Sequence, residues 1–240
     1  MTQSQSVNSY LKGLRDGVPI GLGYISVSFT FGIMAVNSGL PVWFTVLMSM
    51  TNLTSAGQFA GVSLIAAGAT YLEMVLTQLV INMRYALMSL SLSQKADKSF
   101  NMIHRLLVSF GITDEVFAVA SGQEGDIGTR YMYGLITAPY FGWATGTFLG
   151  AAASTILPES VSSALNIAIY GMFLAIIIPP AKRSRPVLVV VLLSMAISCI
   201  LRFTPILNQL SGGFIIIICA LAASAAGAVF FPVKDVQHDA

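Results

Sequence analysis

The run "VWFTVLMSMTNLTSAGQFAGVSLIAA", residues Val42–Ala67, holds 26 residues and no charge. About 20 apolar residues suffice to cross the roughly 30 Å hydrocarbon core of a bilayer, so the run is long for a single span. Its ends are greasy, but its middle carries Asn52, Thr54, Ser55, Gly57 and Gln58. Irregular backbone at membrane depth is tolerated only where it is buried in protein or lines a cavity. Two readings follow: a helix broken at Ser55–Gly57, or a kinked but continuous helix with its polar face turned to its neighbours.

The rest of the chain has the same character. Of 240 residues, 55% are hydrophobic and only 9% charged, with a mean hydropathy of +0.79. A soluble domain would carry charge on about a quarter of its residues. The composition therefore implies an all-α, polytopic membrane protein whose outer surface is solvated by acyl chains. Residues 1–17 and 232–240 are polar tails too short to fold alone, which leaves one transmembrane domain over 18–231. The first apolar run follows Lys12 and Arg15 and lacks a convincing cleavage site, so it reads as a retained helix rather than a signal peptide. Cys199 and Cys219 lie inside apolar runs and read as small packed hydrophobes rather than a disulfide.

Hydropathy and breakers place helices at about Val18–Ser38, Val42–Ala67, Thr70–Ser93, Phe100–Ser121, Tyr131–Ile156, Val161–Ile178, Val187–Phe203 and Phe214–Phe231. Seven or eight spans result, the sixth expected to stop at Pro179-Pro180. With the N-terminus inside and eight spans, the cytoplasmic side collects Lys12, Arg15, Arg130, Lys182, Arg183, Arg185 and Lys234. The outside then holds Lys95, Lys98, Arg105 and Arg202, a weak bias in the usual direction. Turning the second run into a hairpin would move Lys95 and Lys98 inside but expel the Lys182–Arg185 cluster.

Arg84 sits in the middle of an apolar run, at the edge of a stripe formed by Gln78, Asn82, Tyr85 and Ser89. Snorkelling from there asks for more reach than the side chain has, so the guanidinium needs a partner or a water-filled cavity. Glu73 lies eleven residues away, about 16 Å along a straight helix, and is expected near the membrane surface. Asp114 and Glu115 are the better candidates. Being adjacent they point about 100° apart, so at most one faces Arg84. A continuous, antiparallel fourth helix would leave Arg84 and Asp114 about 9 Å apart along the axis, a gap closed either by the long side chain with a two-residue shift of the boundaries or by a bridging water. A carboxylate balanced between pairing and protonation suits proton-coupled transport, whereas a permanent pair would only orient two helices.

Elsewhere, Gly142, Gly146 and Gly150 recur every fourth residue, a surface for close helix approach. Asn166 and Tyr170 share a face suited to an interhelical hydrogen bond, and His104 and His238 are isolated from any second metal ligand. No phosphate-binding glycine loop and no nucleophile–base set occurs, so neither nucleotide hydrolysis by that route nor an intramembrane enzyme is expected. No basic stripe suggests nucleic acid.

Five segments carry a family likeness: "FTFGIMAVNSGLP" (29–41), "TSAGQFAGVSLIAAGA" (54–69), "NMRYALMSLSL" (82–92), "TDEVFAVA" (113–120) and "YGLITAPYFGWATGTFLGA" (133–151). In that order and spacing they resemble the AzlC family of branched-chain amino-acid permeases, over about residues 15–205. The resemblance implies export of valine, leucine and isoleucine, and in some members methionine, across the bacterial inner membrane. It also implies a small, separate membrane subunit of the AzlD type. The family's "GASQF" element falls on Ser55–Phe59, with Ser55 at the glycine position and Gly57 at the serine position. Its "NxRH" element falls on Asn82, Arg84 and Tyr85, tyrosine replacing histidine and removing one proton carrier. Thr113, Asp114 and Glu115 match intact.

The expected machine is an alternating-access transporter for a small zwitterion. A break in the second helix offers a half-helix N-terminus near Gly57 to the substrate carboxylate and free carbonyls to its ammonium. Asn52, Gln58 and Asn82 complete the polar end, and Met48, Phe59 and Met83 supply apolar wall. Asp114 or Glu115 carries the coupling proton, with Arg84 adjusting its affinity. No cofactor is expected beyond a proton gradient. The rivals are a facilitative channel and a scaffold subunit.

Overall fold

A computed structural model describes residues 7–154, 174, 177–205, 207 and 210–231. Among them the architecture is all-α. Helices run over Tyr10–Asn37 (α1), Val42–Thr51 (α2), Ser55–Ala66 (α3), Tyr71–Ser93 (α4), Met102–Phe110 (α5), Asp114–Ser121 (α6), Thr129–Ser154 (α7), Arg185–Phe203 (α8) and Gly212–Phe230 (α9). α1, α4, α8 and α9 are long and apolar enough to cross a membrane, and α7 has the length, 26 residues. The large side chains left bare on them, such as Leu22, Leu72, Leu87, Phe148 and Leu192, form the surface that lipid solvates.

The chain forms two compact units. The first comprises Met1–Ala66 and Asn82–Ile169, the second Ala67–Ile81 and Tyr170–Ala240. α1 and α7 are the spine of the first. They run parallel, and glycines let their backbones touch: a Cβ on Gly17 would stand 2.4 Å from the Leu135 carbonyl oxygen, one on Gly142 2.4 Å from that of Gly21, and one on Gly150 1.9 Å from that of Phe29. The glycine series read from the sequence is thus a packing surface, answered by Gly13, Gly17, Gly21 and Gly32 on α1. α1 starts at Tyr10 rather than Val18, because Ser9 caps it by accepting from the Lys12 N–H.

Two expected spans are interrupted, and contacts show that both turn back. The second run breaks at Asn52–Thr54, just ahead of the Ser55–Gly57 expected from sequence. After the break, Gln58 reaches back to Met48 and Ser49 of α2. Phe59 then packs edge-on against Phe31, toward the C-terminal end of α1, where α2 began. The fourth segment was expected as one helix over Phe100–Ser121; it is α5 and α6, parted at Gly111–Thr113. Lys95, before it, donates to the carbonyls of Ser121 (2.7 Å) and Gln123 (2.5 Å), after it. Both its ends therefore lie together. They lie at the start of α1 and α7: Val7 N–H bonds Asp126 O, Gly128 N–H bonds Val7 O, and Ile127 N–H bonds Lys95 O.

The first unit is thus built around two re-entrant hairpins that enter from opposite ends. Their tips meet at the level of Tyr24, near the middle of the 28-residue α1. Leu53 of one tip packs on Tyr24 and Trp143, and Thr113 of the other bonds the Tyr24 hydroxyl. This corrects the charge partition drawn from eight crossings. Lys95, and with it Lys98 and Arg105, belongs at the same end as Lys12, whose ammonium bonds Gln123.

In the second unit α8 packs on α9. Residues 177–183 are helical, so the chain does not stop at Pro179-Pro180 but at Ser184, whose N–H still bonds Pro180 O. Asn166, Tyr170 and His238 lie outside the described residues. His104 pairs with the Tyr133 hydroxyl at 2.7 Å, and Cys199 and Cys219 are free thiols.

Candidate functional site

A helix interrupted in mid-membrane exposes four carbonyls at one end and four N–H groups at the other, and lipid satisfies none of them. At the first tip the sequence supplies its own partners. Asn52 is extended, and its side-chain oxygen accepts from the Thr54 N–H at 3.1 Å. Thr54 caps α3: its hydroxyl accepts from the Gly57 N–H (3.1 Å) and its carbonyl from that of Gln58 (2.9 Å). On the other side, the Gln58 amide donates to Met48 O (3.0 Å) and Ser49 Oγ (3.2 Å), and the Tyr140 hydroxyl donates to Met50 O (3.2 Å). Trp143 Nε1 closes the set by donating to Gln58 Oε1 at 2.7 Å.

Gln58 is fully buried (0% exposed) and its amide is engaged on both sides. It is a strut for the break. Replacing it with Leu leaves Met48 O and Trp143 Nε1 buried and unpaired, at about 1–3 kcal/mol each. We expect Gln58→Leu to lower the melting temperature of the detergent-solubilised protein by several degrees, and Gln58→Glu to keep the bonds to Trp143 and Ser49 but lose that to the Met48 carbonyl.

At the second tip α5 closes tightly, Gly111 N–H bonding Val108 O (3.0 Å). α6 starts at Thr113, which caps by accepting from Val116 N–H, with Asp114 and Glu115 in the first turn. Two acids there are favoured by the partial positive charge of a helix N-terminus. Their side chains diverge as adjacency requires. Asp114 Oδ2 meets Arg84 Nη1 at 2.8 Å, whereas Glu115 accepts from the Tyr24 hydroxyl, which also lies 2.7 Å from Thr113 Oγ1. No water is needed between Arg84 and Asp114. The axial gap foreseen from a continuous fourth helix vanishes because Asp114 sits at the tip of a hairpin.

Arg84 is also held by Tyr85, donating to its hydroxyl (3.2 Å) with the guanidinium 4.9 Å from the ring centroid. Tyr85 therefore steadies the cation. Side-chain exposures of 43% for Arg84 and 41% for Asp114 leave the pair accessible on one side. Beside it lies a cavity of about 220 Å³ lined by Thr51–Thr54 of one tip, Ser109, Phe110 and Ile112 of the other, and Asn82 and Tyr85 of α4.

The structure thus brings Asn52 and Asn82 to one cavity, next to Arg84 and Asp114. Gly57, Gln58 and Phe59 are buried behind it, in the wall of the hairpin. Sequence reasoning marked Thr54 as part of the break but missed Ser109 and Tyr24, which become neighbours of the site only through the two turns. Glu73 is in the first turn of α4 and is enclosed by protein, at 4% exposure.

The comparisons with known proteins fit this picture. The AzlC protein family model matches residues 19–157. An uncharacterized membrane protein of Archaeoglobus fulgidus is 34% identical over 72% of this chain and 76% of its own length. The chain belongs to the AzlC family. The inner membrane protein YgaZ of Escherichia coli is also similar, 27% identical over 82% of this chain and 83% of that protein. An uncharacterized membrane protein of Helicobacter pylori is 27% identical over 60% of the chain. No solved structure matches. The matched AzlC region contains both hairpins, α4 and the α1–α7 spine, except the first turns of α1.

Proposed function

We propose that the protein is a bacterial inner-membrane secondary transporter that exports branched-chain amino acids, coupled to protons and working with a small AzlD-like subunit. The observation that carries this reading is the meeting of two opposed re-entrant tips at one cavity beside the Arg84–Asp114 pair. Discontinuous helices at mid-membrane are how transporters offer helix ends to a polar cargo. The N-terminus of α3 has no acid in its first turn and suits the substrate carboxylate. Asn52 and Asn82 suit the ammonium, while Leu53, Phe110 and Ile112 suit a branched aliphatic side chain. A cavity of about 220 Å³ is below the size range of drug-sized sites, as a small metabolite requires. Asp114 takes the coupling proton when Arg84 withdraws.

Orientation follows from charge. Within the first unit Lys12, Arg15, Lys95, Lys98, Arg105 and Arg130 gather toward the end where α1 and α7 start, and the opposite end has neither Lys nor Arg. That asymmetry favours a cytoplasmic N-terminus.

The test is counterflow in proteoliposomes holding the chain with and without an AzlD-like subunit, using radiolabelled valine, leucine and methionine, with and without an imposed pH gradient. Saturable exchange, driven uphill by the gradient, is expected. Flux that does not saturate, or that appears as single-channel current, would identify a channel instead.

A further inference from the structure

The cavity beside Arg84 and Asp114 has a neighbour of the same size, about 250 Å³ against about 220 Å³. Asn82 and Tyr85 of α4 line the first; Ser89, Leu92 and Ser93 line the second, one turn further along. These five positions recur at helical spacing on one face of α4. Ser109 and Ile112, toward the tip of the α5–α6 hairpin, line both cavities. The two are therefore successive chambers of one path, with Ser109 and Ile112 between them. The second chamber reaches Phe100, in the connection from α4 to α5, and Ile127, whose N–H bonds Lys95 O. The path thus leads toward the end where α1 and α7 start.

Most of the second chamber's wall is apolar, with Leu92, Leu106, Val108 and Met132 among its residues. Of the described residues that line it, Arg105 alone is charged. Arg105 is exposed, and among the described residues its guanidinium makes no ion pair. The acid in the adjoining connection, Asp97, is held by the Ser99 N–H at 2.8 Å. Ser109 lies four residues after Arg105, so the two are neighbours on one helix face, with Ser109 the deeper. The Ser109 hydroxyl donates its proton to Leu106 O at 2.9 Å and so has only lone pairs left to offer. A cation beside an acceptor matches a carboxylate beside an ammonium on one α-carbon, and the apolar wall matches an aliphatic side chain.

We propose that this chamber is a second amino-acid site, on the cytoplasmic side of the central cavity. Arg105 takes the carboxylate of a branched aliphatic amino acid, Ser109 accepts from its ammonium, and Leu92, Leu106 and Val108 hold its side chain. Because Ser109 lines both chambers, it keeps hold of the ammonium while the substrate passes Ile112 into the central cavity. The proposal rests on the export reading above, which supplies the substrate class and the orientation. A lipid acyl chain would use the apolar wall alone and leave Arg105 and Ser109 without partners.

The test uses the full chain with an AzlD-like subunit in sealed vesicles of each orientation. Arg105→Ala should raise the half-saturation concentration for leucine counterflow about tenfold when leucine is offered from the cytoplasmic face, the worth of one hydrogen bond to a charged group. Leucine offered from the other face should be unaffected, and Arg105→Lys should recover most of the loss. Ser89→Cys, combined with Cys199→Ala and Cys219→Ala, places a thiol in the second chamber alone. A membrane-impermeant methanethiosulfonate at the cytoplasmic face should label it, leucine should slow the labelling, and Arg105→Ala should demand about tenfold more leucine for equal protection. Equal shifts at both faces in Arg105→Ala would make that residue structural and overturn the proposal. Labelling indifferent to leucine, in a protein that exchanges leucine, would overturn the second site and leave the export reading standing. A thiol beyond the reagent's reach in such a protein would overturn it as well and identify a lipid-filled crevice. A protein that neither exchanges leucine nor is protected by it would end the export reading, and the second site with it.

Discussion

Asp114→Asn should cut proton-driven efflux by about 100-fold or more while the protein stays folded in the membrane. Arg84 and Asp114 are within 2.8 Å at the meeting point of the two hairpins. Each side chain is about four-tenths exposed, so breaking the pair costs only about 1 kcal/mol or less of stability. The loss of flux therefore reports the proton site: a positioned proton-transfer group is worth about 100-fold or more. Arg84→Ala should do the same. The informative variant is the exchange, Arg84→Asp with Asp114→Arg. If the pair merely ties α4 to α6, the exchange restores both the assembled protein, read by size-exclusion profile, and the flux. If Asp114 carries a proton at the first turn of α6, the exchange restores assembly and not flux, because the carboxylate has moved off the helix N-terminus and onto α4. Recovery of both would make the pair structural and refute the assignment.

That contrast bears on what could be read from the sequence. Residue chemistry was legible. Arg84 demanded a partner because an apolar run cannot solvate it, and the acids of the "TDE" element were the nearest candidates. α8 and α9 begin and end within two residues of the spans expected from hydropathy. Direction was not legible. "NLTSAGQ" and "ITDE" are helix-start signals, a Thr followed by a polar or acidic first turn, set inside apolar runs. They mark where a helix restarts, but the same signals serve a chain that crosses and one that returns. The choice is made by contacts far apart in sequence, such as Lys95 with Ser121 and Gln58 with Trp143. The partners of Glu73 were hidden for the same reason: they are Ser211 and Gly213, 138 and 140 residues on.

The largest effect on stability is expected at the spine. Gly150→Leu should yield no folded protein, and Gly150→Ala should cost at least about 3 kcal/mol, the upper end of overpacking penalties. A side chain in a core usually gains room by rotating a neighbour, but the atom in the way here is the Phe29 carbonyl oxygen, 1.9 Å from the new Cβ, with the Phe29 Cα at 2.9 Å. Backbone moves only if the helix moves, and α1 is pinned along its length by Gly13, Gly17, Gly21 and Gly32 against α7. Parting the two helices at Gly150 also pulls on the neighbouring Thr147, which bonds Ser49 of the first hairpin at 2.8 Å. Gly23 supplies the control. It lies on the same helix with nothing within 4 Å of its would-be Cβ, so Gly23→Ala should be neutral or stabilise by up to about 1 kcal/mol through helix propensity alone. Thermal denaturation in detergent separates the two cases. Equal melting temperatures for Gly150→Ala and Gly23→Ala would mean that α1 and α7 are not in backbone contact, and the spine on which both hairpins rest would have to be redrawn.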